Sequence, residues 1–219
     1  MLRRGLEGAI RNAFMKAYDM AKVDPEKYLE HLRMAYDLPT ITYAGLRSLD
    51  ILVLDRIAED TIRGSMKVAA AAGAGLGVGG MFTIVPDLGV LAAMTIRMIQ
   101  KLSLIYGFAY NTEQEEAELW VAAASAAGVD ISRDLVERRV IARFVPRVIQ
   151  QIAAKASAEM VEQWSARLIP VVSLALGAAL NYYFMRVWGT RAVGHFRQRH
   201  LEMRHLWTAA EESTALPEP

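Results

Sequence analysis

The sequence contains no cysteine, and this absence excludes several classes of site. Across 219 residues there is no thiol for a disulfide, an iron–sulfur cluster bound by cysteine, a thiolate zinc site or a cysteine nucleophile. The sequence also lacks an excess of positive charge, with 25 Lys and Arg and 24 Asp and Glu. A nucleic-acid-binding protein usually carries such an excess. Since 53% of the residues are hydrophobic, the chain is able to form a large core without cross-links.

The N-terminus lacks the continuous apolar segment of a signal peptide. Arg3, Arg4, Glu7 and Arg11 interrupt its apolar residues. We therefore expect a cytoplasmic protein.

The sequence shows no sustained alternation of apolar and polar residues with a period of two, the pattern of a β-strand. It contains signals of helices instead. Asp24 followed by Pro25 predicts the start of a short helix that ends near Tyr36. Thr112 and Glu115 fit a capping box, for a helix that extends to Ala127 and closes at Gly128. The sequence predicts an all-α helical bundle.

Three segments are predicted along the chain. Residues 1–60 form amphipathic helices, including a long one that starts at Thr40 or Thr42 and carries an apolar stripe through Ile57. Residues 61–206 form a helical core, in which Pro146 is expected to kink or break a helix. Residues 207–219 are expected to be a disordered tail.

Two runs of 18 residues carry no charge, Val68 to Val85 and Leu168 to Met185. This is the shortest length at which a membrane span is considered. The first run is mostly Ala and Gly, and the second contains Pro170 and Asn181, so both are weakly lipophilic. Three interpretations remain: buried helices of a core, shallow insertion into a membrane, or a spanning pair.

Small residues recur every four positions in both runs, as in Ala69, Gly73 and Gly77, and in Ser173 and Gly177. Each glycine inside a helix destabilises it by up to about 1 kcal/mol relative to alanine, so close helix packing is expected as compensation. The segment from Ala69 to Gly80 is therefore predicted to pack against one or both of the other small-residue helix faces, that of Ser173 and Gly177 and that of Ala122 and Ala126.

Pro86 and Asp87 divide the first run into a helical hairpin. Pro86 is expected to stop the incoming helix, and Asp87 to cap a second helix that begins at Leu88. Arg97 and Gln100 then form part of a polar arc at the base of the hairpin. An apolar tip above a polar base fits both a buried hairpin and one that dips into a membrane.

Two blocks of this sequence together resemble the EcsC protein family, over about residues 60 to 200. The matching residues are Gly79-Gly80, Pro86-Asp87-Leu88, Arg97, Gln100 and Tyr106-Gly107 in the first block, and Ile169 to Val172, Gly177, Asn181 to Phe184, Trp188-Gly189 and Ala192 in the second. Because the family takes its name from a gene product encoded beside an ABC transporter, the resemblance implies a membrane-linked role and a membrane transporter as a partner. It implies no catalytic residue and no cofactor.

Two further patterns suggest ligands but have simpler explanations. Gly75, Gly77 and Gly80 fit the dinucleotide fingerprint, but no strand precedes them and no acid follows at the required distance, so they are interpreted as packing glycines. His195 and His200 are five residues apart, as are His200 and His205, and this rotates each by about 140° from the last, so a solvated helix is expected rather than a metal site.

The helix from about Thr190 to His205 is basic. The segment from Arg186 to Trp207 contains five arginines and only one glutamate, with aromatic side chains between them. This pattern favours contact with anionic lipid. Arg97 and Asn181 either line a pocket for a lipid headgroup or bond to backbone carbonyls. The residues predicted to bind are Arg97, Gln100, Asn181, Arg191, Arg197 and Arg199, and those predicted to shape the fold are Gly73, Gly77, Gly80, Pro86, Asp87, Gly107, Pro170 and Gly177.

The sequence therefore predicts a non-enzymatic helical protein that contacts lipid through the hairpin and the basic helix, at the inner face of the membrane. No cofactor, metal or nucleic acid is expected. The alternatives are a soluble scaffold that binds a partner or its own copy, and an enzyme acting on an apolar substrate.

Overall fold

The computed structural model describes residues 2–39, 42–76, 84–129, 131, 141–165 and 174–215. Regular structure in these ranges consists of eight helices and includes no strand, which confirms the predicted all-α fold. In chain order the helices are α1 (Leu2–Met20), α2 (Pro25–Tyr36), α3 (Tyr43–Arg47), α4 (Ile51–Leu76), α5 (Ile84–Ile105), α6 (Glu113–Ala126), α7 (Ile141–Ser165) and α8 (Leu174–Ala215).

Helices α4 and α8 form the most extensive contact and run antiparallel. Three pairs fix their register: Asp55 with Arg197, Ile62 with Gly189, and the Ala69 carbonyl with the Asn181 amide. Extending this register places the described part of each uncharged run at one end of the pair. We call this end, which includes Val68 and Tyr183, the apolar end, and the end that includes Asp55 and Arg197 the charged end.

Helix α5 lies beside this pair and runs parallel to α8. Thr95 Oγ1 is 3.5 Å from Met185 Sδ, and the Tyr106 carbonyl, just beyond α5, is 2.9 Å from His200 Nδ1. Helix α5 therefore starts at the apolar end and leads to the charged end.

Helices α1 and α6 link α7 to this group of helices. Helix α1 packs against α5 and α7, and α6 packs against α7 and α8. The linker after α1 is held by two long-range bonds: the Val23 amide donates to Gln100 Oε1, and the Tyr110 hydroxyl donates to the Val23 carbonyl. Trp120 of α6 is buried in this core.

The predicted helix ends at Asp24 and Thr112 are confirmed. Asp24 caps α2 by accepting from the Lys27 amide, and Pro25 is the first helical residue. Thr112 and Glu115 form both bonds of the capping box, and Gly128 adopts a φ of +73° just after α6.

The predicted helix starting at Thr40 or Thr42 is wrong in its bounds. The structure has the five-residue α3 and a new start for α4 at Ile51. The reason is a second cap inside the apolar stripe: Asp50 Oδ1 accepts from the Leu52 amide at 2.8 Å, as an N-cap does.

The prolines interrupt the helices less than expected. Helix α5 begins at Ile84, not at Leu88, and Pro86 lies in its first turn, where the missing N–H group has no acceptor to lose. Pro146 lies inside α7, near its N-terminus, and does not break it.

Helix α8 continues to Ala215, so residues 207–215 are helical where a disordered tail was expected. Its alanines and glutamates there are good helix formers.

The structure describes part of the small-residue segment on α4. Ala69 and Gly73 are buried, and the Ala69 carbonyl accepts from Asn181 on α8. Ala122 and Ala126 are buried on α6, which packs against α7 and α8. The predictions for Gly77, Gly80 and Pro170 lie outside the described residues. For Gly177 and Asp87 only the helical backbone is described.

Candidate functional site

A polar network joins α4, α5 and α8 at the charged end. Asp55 accepts two hydrogen bonds, from the Tyr106 hydroxyl at 2.7 Å and from Arg197 Nε at 2.9 Å. Tyr106 is fully buried, and burial together with the Asp55 carboxylate raises its pKa far above the ordinary value. The hydroxyl therefore stays protonated and acts as a fixed donor to Asp55.

His200 is the buried end of this network. Its ring is fully buried, and Nδ1 donates to the Tyr106 carbonyl at 2.9 Å. Burial lowers the pKa of His200, and the nearby charges of Arg204 and Arg47 lower it further. The prediction that the histidines lie on a solvated helix is thus wrong for His200. The spacing of four between Ala192, Phe196 and His200, all buried, is the signal that marks this face.

The turn after α5 depends on Gly107. This residue has a φ of +82°, and its amide and that of Phe108 donate to the carbonyls of Leu104 and Ser103, which closes the helix end. Arg47 Nε donates to the Gly107 carbonyl at 3.0 Å, and a Cβ on Gly107 would lie 2.6 Å from Arg47 Cγ. Both the backbone conformation and the close arginine thus require glycine here.

A cavity of about 190 Å³ lies beside this turn. It has charged, polar and apolar walls, and Arg199 of α8 pairs with Glu118 of α6 at 3.2 Å on its lining. We call it the charged-end cavity. Its lining residues are Arg47, Ser103, Phe108, Ala109, Glu115, Glu118, Leu119, His195, Phe196, Arg199 and Met203.

A smaller, mainly apolar cavity of about 30 Å³ lies between α1, α5, α7 and α8. Its lining includes Thr95, Phe14 and Trp188, and the ring centroids of Phe14 and Trp188 are 5.8 Å apart. The Trp188 indole nitrogen is buried without a hydrogen-bond partner among the described residues. The volume suits one or two water molecules.

No shared contact among the described residues joins Arg97 and Asn181, the two predicted pocket residues, or brings the predicted binding residue Gln100 to either of them. Arg97 is exposed on α5, whereas Gln100 is buried and accepts from the Val23 amide. Asn181 is buried and donates to the Ala69 carbonyl at 3.3 Å. The geometry of Asn181 corresponds to the second interpretation given above, a bond to a backbone carbonyl.

Three arginines of the basic helix are paired with carboxylates of other helices. Arg197 binds Asp55 of α4 at 2.9 Å, and Arg199 binds Glu118 of α6 at 3.2 Å. Arg191 lies 3.8 Å from Glu159 of α7 and also donates to the Ala126 carbonyl. Much of the positive charge that the sequence concentrates on this helix is therefore balanced within the fold.

Sequence reasoning missed Asp55, Tyr106 and Arg47 as a group. Asp55 was not among the predicted site residues, and Tyr106 entered only through the family resemblance. The three come from separate segments, so their spacing in the chain carries no signal of the contact.

The described residues contain neither a candidate membrane span nor a candidate metal site. No helix among them combines the length and the continuous apolar character that crossing a bilayer requires. Nor do they contain a group of three or more His, Asp or Glu side chains placed to hold a metal ion.

His200 leads to a testable pH dependence. Its pKa in the folded state is below the ordinary value of 6.5, so the unfolded chain binds the proton more tightly. The free energy of unfolding should therefore fall as the pH drops below about 6.5, by at most about 1.4 kcal/mol per pH unit. Urea titrations at a series of pH values measure this slope.

The variant His200→Asn keeps a donor for the Tyr106 carbonyl and cannot be protonated. It is expected to reduce the slope, whereas His31→Asn, at an exposed position on α2, is expected to leave it unchanged. An unchanged slope in His200→Asn would contradict the assignment.

These features define the class of protein as an all-α bundle with one apolar end and one end organised by a buried polar network. The sequence model of the EcsC protein family matches residues 3–201 of this chain. The chain belongs to this family.

Two relatives from Bacillus subtilis (strain 168) are similar to the chain. Protein EcsC is 30% identical over 172 residues, which cover 74% of this chain and 70% of the relative. The uncharacterized protein YdbA is 23% identical over 151 residues, which cover 62% of this chain and 54% of the relative, so this chain spans only about half of that protein. No solved structure gives a significant match.

Proposed function

We propose that this protein associates with the surface of anionic membranes through its apolar end, at the inner face of the membrane. The observation that carries the proposal is an exposed group of apolar and aromatic side chains at this end. Val68 of α4 is 57% exposed, Val90 of α5 is 39% exposed, and Tyr182 and Tyr183 of α8 are 43% and 47% exposed. Tyrosine favours the interface between water and lipid, where its ring is buried and its hydroxyl stays hydrated.

Positive charge lies close to these side chains in the sequence and on the same helices. Lys67 precedes Val68 on α4, and Arg186 follows one turn after Tyr182 on α8, and both are exposed. Each basic residue near an anionic membrane surface contributes about 1 kcal/mol of attraction. Aromatic rings flanked by cations therefore support binding of the apolar end to anionic lipid.

The arginine row of α8 is a weaker candidate for this contact. Arg191, Arg197 and Arg199 would have to give up carboxylate partners on α7, α4 and α6 before binding lipid phosphates. Among the five arginines between Arg186 and Trp207, we therefore assign Arg186 to the membrane contact. The hairpin keeps its predicted role through the described parts of α4 and α5.

Co-sedimentation with vesicles of phosphatidylcholine and phosphatidylglycerol tests this proposal. The double variant Lys67→Glu with Arg186→Glu should weaken binding by at least about tenfold, because it replaces attraction by repulsion at two positions. Binding of the unaltered protein should also weaken with added salt.

Matched controls come from the charged end. Arg56→Glu reverses an exposed charge on α4 there, and Leu52→Ser removes a side chain that is 69% exposed. Both should bind vesicles like the unaltered protein. The proposal fails if the unaltered protein does not sediment with anionic vesicles at low salt, or if the control variants lose as much binding as the double variant.

A second candidate function, protein binding, is favoured by apolar side chains at the charged end. Leu52 and Val53 open α4, and Leu201 lies at the same level of α8, because Asp55 pairs with Arg197 one turn away. Exposed apolar side chains in one region are typical of a contact with another protein. The partner would be a second copy of the chain or a membrane transporter, and light scattering of the protein, compared with Leu52→Ser, distinguishes self-association from a monomer.

A further inference from the structure

We propose that the charged-end cavity is a binding site for a small amphipathic zwitterion, such as a free α-amino acid with an apolar side chain. The site is distinct from the apolar end, and the proposal does not depend on membrane binding. It rests on the size of the cavity, on the charges of its lining and on the position of its apolar wall.

The size limits the ligand to a small molecule. A volume of about 190 Å³ corresponds to roughly six water molecules at about 30 Å³ each. Pockets for larger organic ligands usually exceed about 300 Å³. The cavity is therefore too small for a lipid and large enough for an amino acid.

The charges of the lining are balanced. Arg47 and Arg199 contribute two positive groups, and Glu115 and Glu118 contribute two negative ones. A ligand with a single charge would meet as many like charges as opposite ones. A molecule with an ammonium and a carboxylate group can place each beside its opposite, which is why we assign a zwitterion.

These charged groups are held in place before any ligand binds. Glu115 Oε2 accepts from the amides of Asn111 and Thr112, at 2.9 and 3.0 Å. Glu118 is paired with Arg199, and Arg47 Nε is bonded to the Gly107 carbonyl. A zwitterion presents a charge to each member of the Arg199–Glu118 pair, so it can bind beside the intact pair, whereas a phosphate alone would compete with Glu118 for Arg199. Side chains that are already ordered lose little conformational entropy on binding, and this favours affinity for a small ligand.

Most of the remaining wall is apolar, and Ser103 and His195 are its polar members. The ring centroids of Phe108 and Phe196 are 6.0 Å apart, with an angle of 29° between the ring planes, and Leu119 and Met203 line the same cavity. Water hydrates such a wall poorly, whereas an apolar side chain gains by contacting it. A ligand with charged groups at one end and an apolar group at the other therefore matches the lining better than water alone.

Isothermal titration calorimetry with three related probes tests the assignment. L-Phenylalanine carries both charges, hydrocinnamate lacks the ammonium group and phenethylamine lacks the carboxylate. L-Phenylalanine should bind at least about tenfold more tightly than either of the others, since each charged group adds a charge-assisted hydrogen bond.

Three variants locate the binding. Ala109→Phe places a ring in the cavity from a partly exposed position and should abolish binding, whereas Met34→Phe adds a ring at an exposed position of α2 and should not. Glu118→Gln removes one negative charge at a partly exposed position and should reduce the preference for L-phenylalanine over hydrocinnamate. Circular dichroism confirms that each variant is folded.

Four results would overturn the proposal. These are no binding of L-phenylalanine to the unaltered protein, binding of hydrocinnamate or phenethylamine as tight as that of L-phenylalanine, unchanged binding by folded Ala109→Phe, and an unchanged preference in Glu118→Gln. The first would leave a cavity filled by water, and the second would identify a site for a singly charged ligand. The last variant keeps the test decisive even if Ala109→Phe fails to fold.

Discussion

Replacing Asp55 by alanine should lower the free energy of unfolding by about 3 kcal/mol. The carboxylate accepts from the Tyr106 hydroxyl and from Arg197, so its loss leaves the hydroxyl of a fully buried tyrosine without this acceptor. A hydrogen bond to a charged group contributes about 1.5–3 kcal/mol, and the expected loss lies at the upper end because the buried hydroxyl loses this acceptor. Urea unfolding followed by circular dichroism measures the change.

Two comparisons make this result specific. Glu59→Ala, on the same helix, removes a carboxylate whose ion pair with Arg63 is mostly exposed, and should change stability by no more than about 0.5 kcal/mol. The double variant Asp55→Ala with Tyr106→Phe should be less destabilised than the sum of the single variants, because the orphaned hydroxyl is removed as well. Strict additivity would show that the network does not act as a unit.

Replacing Gly189 by valine should lower the free energy of unfolding by about 2 kcal/mol. A Cβ at Gly189 would lie 2.8 Å from Ile62 Cγ1, and two further Ile62 atoms would be at 3.0 and 3.1 Å. Ile62 is buried and branched at Cβ, so it has few other rotamers to adopt. Overpacking of this kind destabilises by about 1–3 kcal/mol, which exceeds the few tenths that valine gains over glycine in a helix.

Helix α8 offers a matched control for this substitution. A Cβ at Gly194 would meet nothing within 4 Å, so Gly194→Val should leave stability unchanged or raise it slightly. Truncation of the opposing side chain, in Ile62→Ala with Gly189→Val, should recover part of the loss. Equal destabilisation by the valines at 189 and 194 would mean that the effect comes from helix propensity and not from the contact between α4 and α8.

Local signals predicted the helix ends well. Asp24, Thr112 and Glu115 accept from amides within four residues of themselves, so their bonds follow from spacing alone. The same logic explains the error at α4. Asp50 is also a cap, but it lies within an apolar stripe that continues across the break, and periodicity alone favours the longer helix.

Local sequence signals did not predict the charged-end network or its cavity. Asp55 and Arg197 are separated by 142 residues, and nothing in either local sequence indicates the other. The family resemblance drew attention to Tyr106 and Gly107 without stating what they contact. For the same reason the arginines of α8 were interpreted as a charge available to lipid, although three of them have carboxylate partners on other helices.

The sequence by itself determined that this protein is helical, where several of its helices begin, and which stretches are too poor in charge to face water throughout. These properties depend on interactions within a few residues, and composition and spacing encode them directly. The tertiary structure alone decided which charges are paired, which histidine is buried and where a cavity remains. Those outcomes depend on the register of α4, α5 and α8, which is set by packing between segments that are distant in the chain.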